Sequence, residues 1–303
     1  VIKLYDGKTG AAVGNDSGYA VIGSGASSGI AIADNLGWQL SKNEERVLVV
    51  KGVLASVDIN SDNGADSGIS LYVAIMANGF ESAGSTALDT TITAATSTEK
   101  ILVRGRPTVT WETPPSTLMG TNPVVARFRV AAGATAVAFK TFSLKVEPTG
   151  ATMTAATTSN VTVYNITNAP STALTLATVV SGLGTASTGS AAILGGQTGY
   201  VTVYLTTPEE IAANSSNVFD VKLTFNTLSA SPNAKSSVAL NLPETSGLGD
   251  NTTLAGVTAA ADDGNPAFAW SDFADISHTE STTDWHNGWL TELPVSSVWQ
   301  LTN

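Results

Sequence analysis

The chain has 303 residues, which is enough for two domains of ordinary size that each bury a hydrophobic core. Its formal net charge is −11 and its 14 lysines and arginines form no basic run, so nucleic acid is disfavoured as a partner. No apolar run approaches the length of about 18 residues that a membrane-spanning helix needs. The absence of cysteine and a charged fraction of only 13% favour an exported protein whose strands carry Thr and Ser on their solvent faces.

The first residues resemble a segment in the middle of the chain. Val1–Asp6 (VIKLYD) is similar to Val161–Asn165 (VTVYN). If the two segments align, the chain begins midway through its first domain and the counterpart of residues 107–160 is missing before Val1. Such a domain would expose an apolar face and unpaired strand edges. We expect the gap to be filled either by upstream residues or by a strand from a neighbouring subunit.

A strand–loop–strand pattern occurs twice in the sequence. Val47–Ser56 leads through a polar loop into Ser67–Ile75, and Val218–Leu242 repeats this order around its own polar loop. In the later copy Phe219 and Val221 begin an alternation of apolar and polar residues at period two, which is typical of a half-buried antiparallel strand. The repetition predicts related β-domains.

The polar loop of the earlier copy is a candidate calcium site. Carboxylate or amide oxygens recur at alternate positions, as a hard, oxygen-seeking cation requires, and the residues concerned are Asp58, Asn60, Asp62 and Asp66. The loop resembles the start of an EF-hand loop, but its Gly64 comes one position late and Ile69 stands where the bidentate Glu belongs. The alternative interpretation is a solvated hairpin loop in which Asp, Asn and Gly serve their own turn propensity.

Pro107 marks the expected domain boundary, because proline cannot donate to a sheet ladder and suits the start of a strand. We predict one β-sandwich domain over residues 1–106, lacking its first strands, and a second over 107–303. The second domain reads as a series of short strands with turn signals between them, the candidates being Thr108–Trp111, Val124–Val130, Ala136–Glu147, Val161–Ile166, Leu174–Val180, Ala191–Leu194 and Tyr200–Thr206.

Two local irregularities are expected within this series. The spacing of Phe139 and Phe142 indicates a β-bulge near Thr141, and Pro208–Ile211 fits one helical turn with proline at its first position. Helical periodicity is otherwise nearly absent. The fold class is therefore predicted as all-β, with tandem Ig-like or Greek-key β-sandwich domains, while a β-helix or jelly roll stays open.

Residues 266–303 differ in composition, since they hold four of the six tryptophans and both histidines. Trp285 and Trp289 could form a platform on which sugar rings stack, or the tryptophans could instead fill the end of a core otherwise built from Ala and Val. The sequence cluster of His278, Glu280, Asp284 and His286 could suggest a metal site or an acid–base pair, but its spacing matches no catalytic template. We therefore interpret the two histidines as hydrogen-bonded packing residues. No enzyme activity is predicted.

Three stretches together carry a resemblance: RGRPTVTW, FRVAAGATAVAFKTFSLKVEPTGATMT and FAWSDF…TTDWHNGWLTELP. They resemble the C-terminal repeats of large secreted, Thr/Ala-rich surface proteins of uncultivated small-genome bacteria. The likeness covers residues from about 100 to 303, with Trp289 standing where that pattern usually has Tyr. It implies a cell-surface location and a repetitive architecture.

From these observations we expect a non-catalytic subunit that assembles with itself into an extracellular surface layer (S-layer) or filament, through strand edges or loops. The alternative is a glycan-binding adhesin that uses the Trp-rich end. No cofactor is predicted apart from the calcium ion discussed above.

Overall fold

A computed structural model of the chain describes residues 1–23, 29–34, 36–54, 57, 67–75, 82–83, 88–89, 95–97, 100–116, 122–183, 190–226, 236–243, 259–262, 268–282, 284–288, 290 and 299–302. The chain divides into two compact units, Val1–Ser56 and Val57–Asn303. We call them unit 1 and unit 2 and describe each by itself. The domain boundary expected at residues 106 and 107 stays a prediction.

The described secondary structure consists of β-strands, with no helix among the described residues, so the all-β class is confirmed. Unit 1 contains β1 (Ile2–Asp6), β2 (Ile22–Gly23), β3 (Gly29–Ile30) and β4 (Leu48–Gly52). Unit 2 contains the strands β5 (Ile69–Leu71), β6 (Ala74–Ile75), β7 (Ser82–Ala83), β8 (Leu88–Asp89), β9 (Ala95–Thr96), β10 (Lys100–Leu102), β11 (Thr108–Trp111), β12 (Val124–Ala131), β13 (Val137–Thr149), β14 (Thr152–Met153), β15 (Thr162–Asn165), β16 (Leu176–Gly182), β17 (Gly199–Ile211), β18 (Ser216–Lys222), β19 (Phe225–Asn226), β20 (Ser237–Asn241), β21 (Ala259–Asp262), β22 (Phe268–Ser271), β23 (Trp285–Asn287) and β24 (Trp299–Thr302).

Unit 2 is built around two larger sheets. One has four antiparallel strands in the order β11-β12-β18-β15. The other has eight strands, with β16-β17-β13-β22-β23-β21 as its main path and β20 and β24 branching from β13. Its pairings are antiparallel except for β21 with β23. Strand β13 is central, because it pairs with β17 along one edge and with both β22 and β20 along the other.

The two larger sheets share one hydrophobic core, which gives unit 2 a sandwich-like architecture. The ring of Phe128, from the four-stranded sheet, lies 5.1 Å from that of Phe142 in the eight-stranded sheet. Phe139 meets Phe219 edge-on at 4.9 Å, again across the two sheets. All four rings are fully buried, because the period-two alternation in each strand turns its apolar residues towards the same interior.

The bulge expected near Thr141 is confirmed. The register of β13 shifts between Phe139 and Thr141 against both β17 and β22. The expected helical turn at Pro208–Ile211 is wrong, because β17 continues as a strand to Ile211. Opposite the β13 bulge, Phe139 pairs with Glu209 and Thr141 pairs with Tyr204. Pro208 lies between these two β17 residues, at a position where no N–H group is needed to bond β13.

The outer face of the eight-stranded sheet carries a second, smaller hydrophobic cluster. Its buried members are Ala138, Val180, Tyr204, Ala269 and Trp285, and partly buried Tyr200 and Phe273 pack against it. The chain that connects β22 to β23 lies over this face. The eight-stranded sheet is therefore covered on both sides in this region.

Unit 1 has a smaller framework. Strand β1 pairs antiparallel with β4, from Ile2 opposite Gly52 to Asp6 opposite Leu48. The other edge of β1 is bridged by Ala12 and Tyr19. Among the described residues β4 has no second strand neighbour.

Candidate functional site

Two features of the described chain invite a functional interpretation: a buried polar cluster in unit 2 and an open strand edge in unit 1. The polar cluster is positioned by β22 and β23. Trp270 of β22 belongs to the core between the sheets, and the ring of His286 in β23 lies 4.5 Å from it. Asp272 follows β22 directly, so its carboxylate comes close to His286 at the edge of the core.

Asp272 is held by groups that are remote in sequence. Its Oδ2 accepts hydrogen bonds from Ser67 Oγ at 2.5 Å and from the backbone N–H of Arg104 at 2.7 Å. His286 Nε2 lies 3.0 Å from Ser67 Oγ and 3.5 Å from Asp272 Oδ2. The Arg104 guanidinium donates to the carbonyl of Phe273 at 2.8 Å. The segments before β5 and after β10 are thereby fastened to the chain between β22 and β23.

The electrostatics favour an ionised Asp272. Burial alone would raise the pKa of Asp272, since it penalises the charged form. The interactions with His286, Ser67 and the Arg104 N–H outweigh burial, so the pKa lies below its ordinary value. A carboxylate with a lowered pKa stabilises the folded state at pH values above its unfolded pKa, and this contribution is lost as the pH falls through the folded value.

The cluster contains serine, histidine and aspartate, but not in a catalytic arrangement. A nucleophilic triad places the serine at one ring nitrogen and the carboxylate at the other. Here Ser67 and Asp272 both lie at Nε2 of His286, and Nδ1 has no hydrogen-bond partner among the described residues. Ser67 directs its proton to Asp272 and is only 8% exposed, and the other two are fully buried. The geometry suits a structural tie.

A second polar group closes the loop between β22 and β23. Asp284 accepts hydrogen bonds from Ser271 Oγ at 3.0 Å and Thr282 Oγ1 at 2.5 Å, and its Oδ2 lies 2.8 Å from His278 Nδ1. The hydroxyl of Ser271 lies at Nδ1 of His278, the same ring nitrogen that faces the Asp284 carboxylate. These three residues therefore also lack the arrangement of a nucleophilic triad. His278 and Asp284 therefore hold this loop together, which for His278 agrees with the packing interpretation.

The same loop accounts for a lysine in the buried run of β13. Lys140 is 5% exposed, and its Nζ lies 2.6 Å from Glu280 Oε1. Glu280 is itself partly exposed, so the pair bridges the sheet and the solvent edge of the loop. A buried ammonium group needs such a partner because desolvation without one is costly.

The predicted sugar platform falls partly within the described residues. Trp285 is fully buried, its Nε1 donates to the carbonyl of Thr279 at 2.9 Å, and its ring stacks on His278. Neither face of this ring is open to a sugar in this arrangement. Trp289 lies outside the described residues, so a glycan role for it stays a prediction. Trp270 and Trp285 instead fill the core and the outer cluster, which agrees with the packing interpretation.

The predicted calcium ligands, Asp58, Asn60, Asp62 and Asp66, also lie outside the described residues. Calcium binding there stays a prediction. Within the described parts of the chain, no group of three or more His, Asp or Glu side chains is placed to hold a metal ion.

Sequence reasoning missed Ser67, Arg104 and Asp272. Ser67 and Asp272 are 205 positions apart, and serine is too common in this chain for one residue to stand out. Asp272 lies two residues after Trp270 in the WSDF stretch, and this aromatic context is the local signal that the aspartate is buried.

Unit 1 contains the second feature, and it begins with a charged turn. Asp6 Oδ1 accepts from the N–H groups of Lys8 and Thr9, at 2.8 and 3.1 Å. Its Oδ2 accepts from Trp38 Nε1 at 3.0 Å and from the Arg46 guanidinium at 2.6 Å. The bond from Trp38 and those from Arg46, Lys8 and Thr9 hold the pKa of Asp6 well below its usual range, against the opposing effect of burial.

Glu44 completes this charged group. Its Oε1 accepts from Arg46 Nε at 2.8 Å and its Oε2 from the Ser41 N–H at 3.1 Å. The Arg46 hydrogen bond is the main cause that lowers the pKa of Glu44 to about 2. The two carboxylates in turn raise the pKa of Arg46.

The β1–β4 pair of unit 1 repeats the register of the β15–β18 pair of unit 2. Asp6 lies opposite Leu48 as Asn165 lies opposite Phe219. The Gly7 N–H donates to the Val47 carbonyl at 2.8 Å, and the Ile166 N–H donates to the Val218 carbonyl at 2.9 Å. On the outer face, Lys51 lies over the ring of Tyr5 as Lys222 lies over that of Tyr164. Val47–Lys51 of unit 1 thus corresponds to Val218–Lys222 of unit 2 in strand pairing.

The equivalent strands differ in what lies beside them. In unit 2, β18 pairs with β12 along its second edge, and Phe219 and Val221 are fully buried. In unit 1 the matching residues of β4, Leu48 and Val50, are only half-buried. Val47, next to them, is 69% exposed. Within the described part of unit 1, the β4 edge is therefore a position without a strand neighbour.

Comparison with known proteins gives no relative: no protein-family model, curated protein or solved structure matches the chain. None of the described residues forms a helix that is long and apolar enough to cross a membrane.

Proposed function

We propose that the chain is a non-catalytic subunit that assembles with itself into an extracellular surface layer or filament, built from tandem Ig-like β-sandwich domains. One observation carries the proposal. Unit 1 exposes a large share of the apolar side chains that are exposed among the described residues, namely Val1, Val21, Ile22, Ile30, Ile32, Leu40, Val47, Val53 and Leu54.

This exposure contrasts with the interior of the same unit. The buried apolar residues described in unit 1 are Leu4 and Val13. Exposed apolar surface of this kind marks an interaction site more often than a free surface, and an unpaired strand edge beside it offers backbone hydrogen bonds to a partner. Assembly through such a surface requires no specialised residue, which suits a chain composed largely of small and polar side chains.

The geometry of the polar clusters supports the non-catalytic part of the proposal. Ser67, His286 and Asp272 are buried and arranged as a tie, and His278 with Asp284 closes a loop. The absence of cysteine and the low charge fraction, taken with the resemblance of residues 100–303 to bacterial surface proteins, favour an extracellular location.

The test is the association state of the purified chain across a wide concentration range, by sedimentation velocity and negative-stain microscopy. We expect concentration-dependent growth into sheets or filaments. The variant Val47→Asp with Val53→Asp places charges on the exposed apolar rim and should reduce growth, whereas Ile276→Asp, an exposed apolar position of unit 2, should leave it unchanged. A chain that stays monomeric at the highest concentration contradicts the proposal.

A further inference from the structure

Among the described residues β4 pairs along one edge only, and the ladder shows which of its backbone groups face the other edge. In an antiparallel ladder the backbone groups of alternate residues point to the same neighbour. The Val47 carbonyl accepts from Gly7 and the Val53 N–H donates to the Val1 carbonyl, so the odd-numbered residues of this stretch face β1. Leu48, Val50 and Gly52 therefore direct their N–H and carbonyl groups away from β1.

Unit 2 shows what occupies this place when it is filled. Phe219 and Val221 of β18, the equivalents of Leu48 and Val50, lie opposite Phe128 and Ala126 of β12. Phe128 is fully buried, and its ring stacks on that of Phe219 at 5.5 Å. A strand of this type supplies a large apolar residue at one position and a small one two residues earlier.

We propose that the β4 edge of unit 1 is an acceptor for one antiparallel strand of the β12 type, supplied by a neighbouring polypeptide. The register follows from the repeat: a large apolar residue opposite Leu48 and a small residue opposite Val50. The β12 strand itself cannot serve, because Val125, Phe128 and Val130 are fully buried within unit 2. The inference rests on the proposed function in one respect: the β4 edge would be the surface through which subunits join.

One difference between the two edges defines the chemistry of the incoming strand. In unit 2, Asp220 binds the guanidinium of Arg127 through two hydrogen bonds of 2.6 and 2.7 Å. In unit 1, Val49 stands at the position of Asp220 and offers no acceptor to an arginine. The strand that fits β4 therefore carries an uncharged, β-branched residue opposite Val49, where β12 carries Arg127.

The experiment uses the whole chain and synthetic peptides spanning residues 122–133. The probes are the native peptide, a peptide with Arg127→Val and a peptide with Phe128→Asp. Binding is measured by fluorescence anisotropy of labelled peptide at chain concentrations below those that give assembly. We expect the Arg127→Val peptide to bind several-fold more tightly than the native one, and the Phe128→Asp peptide to lose binding.

Site-specific hydrogen exchange locates the bound peptide. In the dilute chain the N–H groups of Leu48 and Val50 should exchange fast while those of Val49 and Lys51, bonded to β1, exchange slowly. The peptide should slow Leu48 and Val50 selectively. If both are already protected in the dilute chain without peptide, the edge is covered within the chain itself and the proposal is rejected.

A matched pair of variants at one position completes the test. Val50→Pro removes an outward N–H without touching a bond to β1, and should weaken binding by roughly tenfold or more. Val50→Thr keeps the N–H and the branched shape and should bind like the wild type. Equal binding to both variants would place the peptide elsewhere and overturn the proposal. Peptide binding by a chain that never assembles would reject the proposed function and leave this inference standing.

Discussion

Asp6 and Asn165 occupy the same place in the two units and cap the same turn. Asp6 Oδ1 accepts from the N–H groups two and three residues later, and so does Asn165 Oδ1, at 3.2 Å to both Thr167 and Asn168. The second atom of each side chain differs. Oδ2 of Asp6 accepts from Trp38 and Arg46, whereas Nδ2 of Asn165 donates to Glu209 Oε2 at 2.8 Å.

The comparison separates two requirements of a repeated strand pair. The turn needs only one oxygen, so Asp and Asn serve equally. The remaining atom must match the charge of whatever packs beside the turn, and this neighbour is not repeated. The backbone pattern of the pair is therefore shared by the units, while burial and electrostatics are set by the unit in which it lies.

The largest expected difference concerns burial. Phe219→Ala removes a fully buried ring from the core of unit 2 and should lower its free energy of unfolding by about 3–5 kcal/mol. Leu48→Ala, at the equivalent but half-buried position in unit 1, should cost only about 1 kcal/mol. Urea denaturation followed by hydrogen exchange within each unit measures both. Equal costs would show that β4 is already covered as β18 is.

Exchanging the turn residue of unit 2 should come next. Asn165→Asp keeps the turn but replaces an N–H donor with a second carboxylate against Glu209, at a cost of about 1–3 kcal/mol at neutral pH. Since two adjacent carboxyls share a proton readily, the loss should shrink as the pH falls towards about 5. Thermal denaturation at several pH values follows it. Asn165→Gly, which removes both interactions, should show no such pH dependence.

The reverse exchange in unit 1 should change its response to acid. The lowered pKa values of Asp6 and Glu44 mean that their stabilisation is present above the unfolded values and is lost as the pH falls below them, towards about 2 for Glu44 and lower still for Asp6. Asp6→Asn should lower the stability of unit 1 at neutral pH and reduce its loss of stability in acid. Trp38 is the one tryptophan of unit 1, so its indole N–H signal in NMR spectra reports this directly. A wild-type signal that already shifts between about pH 5 and 3, where an unperturbed aspartate titrates, contradicts the assignment.

The smallest expected loss of stability concerns the lysine–tyrosine contacts, and it should be the same in both units. Lys51 Nζ lies 4.6 Å from the ring centroid of Tyr5, and Lys222 Nζ lies 5.0 Å from that of Tyr164. Lys51→Ala and Lys222→Ala should each cost about 0.5–1 kcal/mol, because both contacts lie on an outer face with access to water. Denaturation of the two variants in parallel checks whether this contact is independent of the unit around it.

The sequence was informative where structure depends on short-range pattern. Alternation of apolar residues predicted Thr108–Trp111 as a strand, and the broken alternation after Phe139 predicted the bulge at Thr141. Pro208 was read as the start of a helical turn from its local sequence alone. It lies in a strand instead, because the bulge in the opposite strand β13 removes the need for an N–H donor there. A local rule for helix starts could not include that distant condition.

The candidate sites show the same limit more strongly. The tie at Asp272 joins residues that are far apart in the chain, and neither its serine nor its arginine has a sequence context that marks it. The repeat of strand, loop and strand can be read from the chain without knowing which strands pair, and it led us to expect unpaired strand edges in the first domain; that expectation stays a prediction. The sequence left open whether Trp285 binds sugars or fills a core, and only its neighbours in the fold determine that its ring is buried against protein.

The tie at Asp272 gives this cysteine-free chain something that disulfides give many exported proteins. Ser67 and Asp272 enclose most of unit 2 in a non-covalent loop, so a single proteolytic nick between them should leave two fragments that remain associated through carboxylate hydrogen bonds and the shared sheet. The tie at Asp272 needs no oxidant to form and is not affected by reducing agents. Acid, which protonates the carboxylate, should break it, whereas thiols should not.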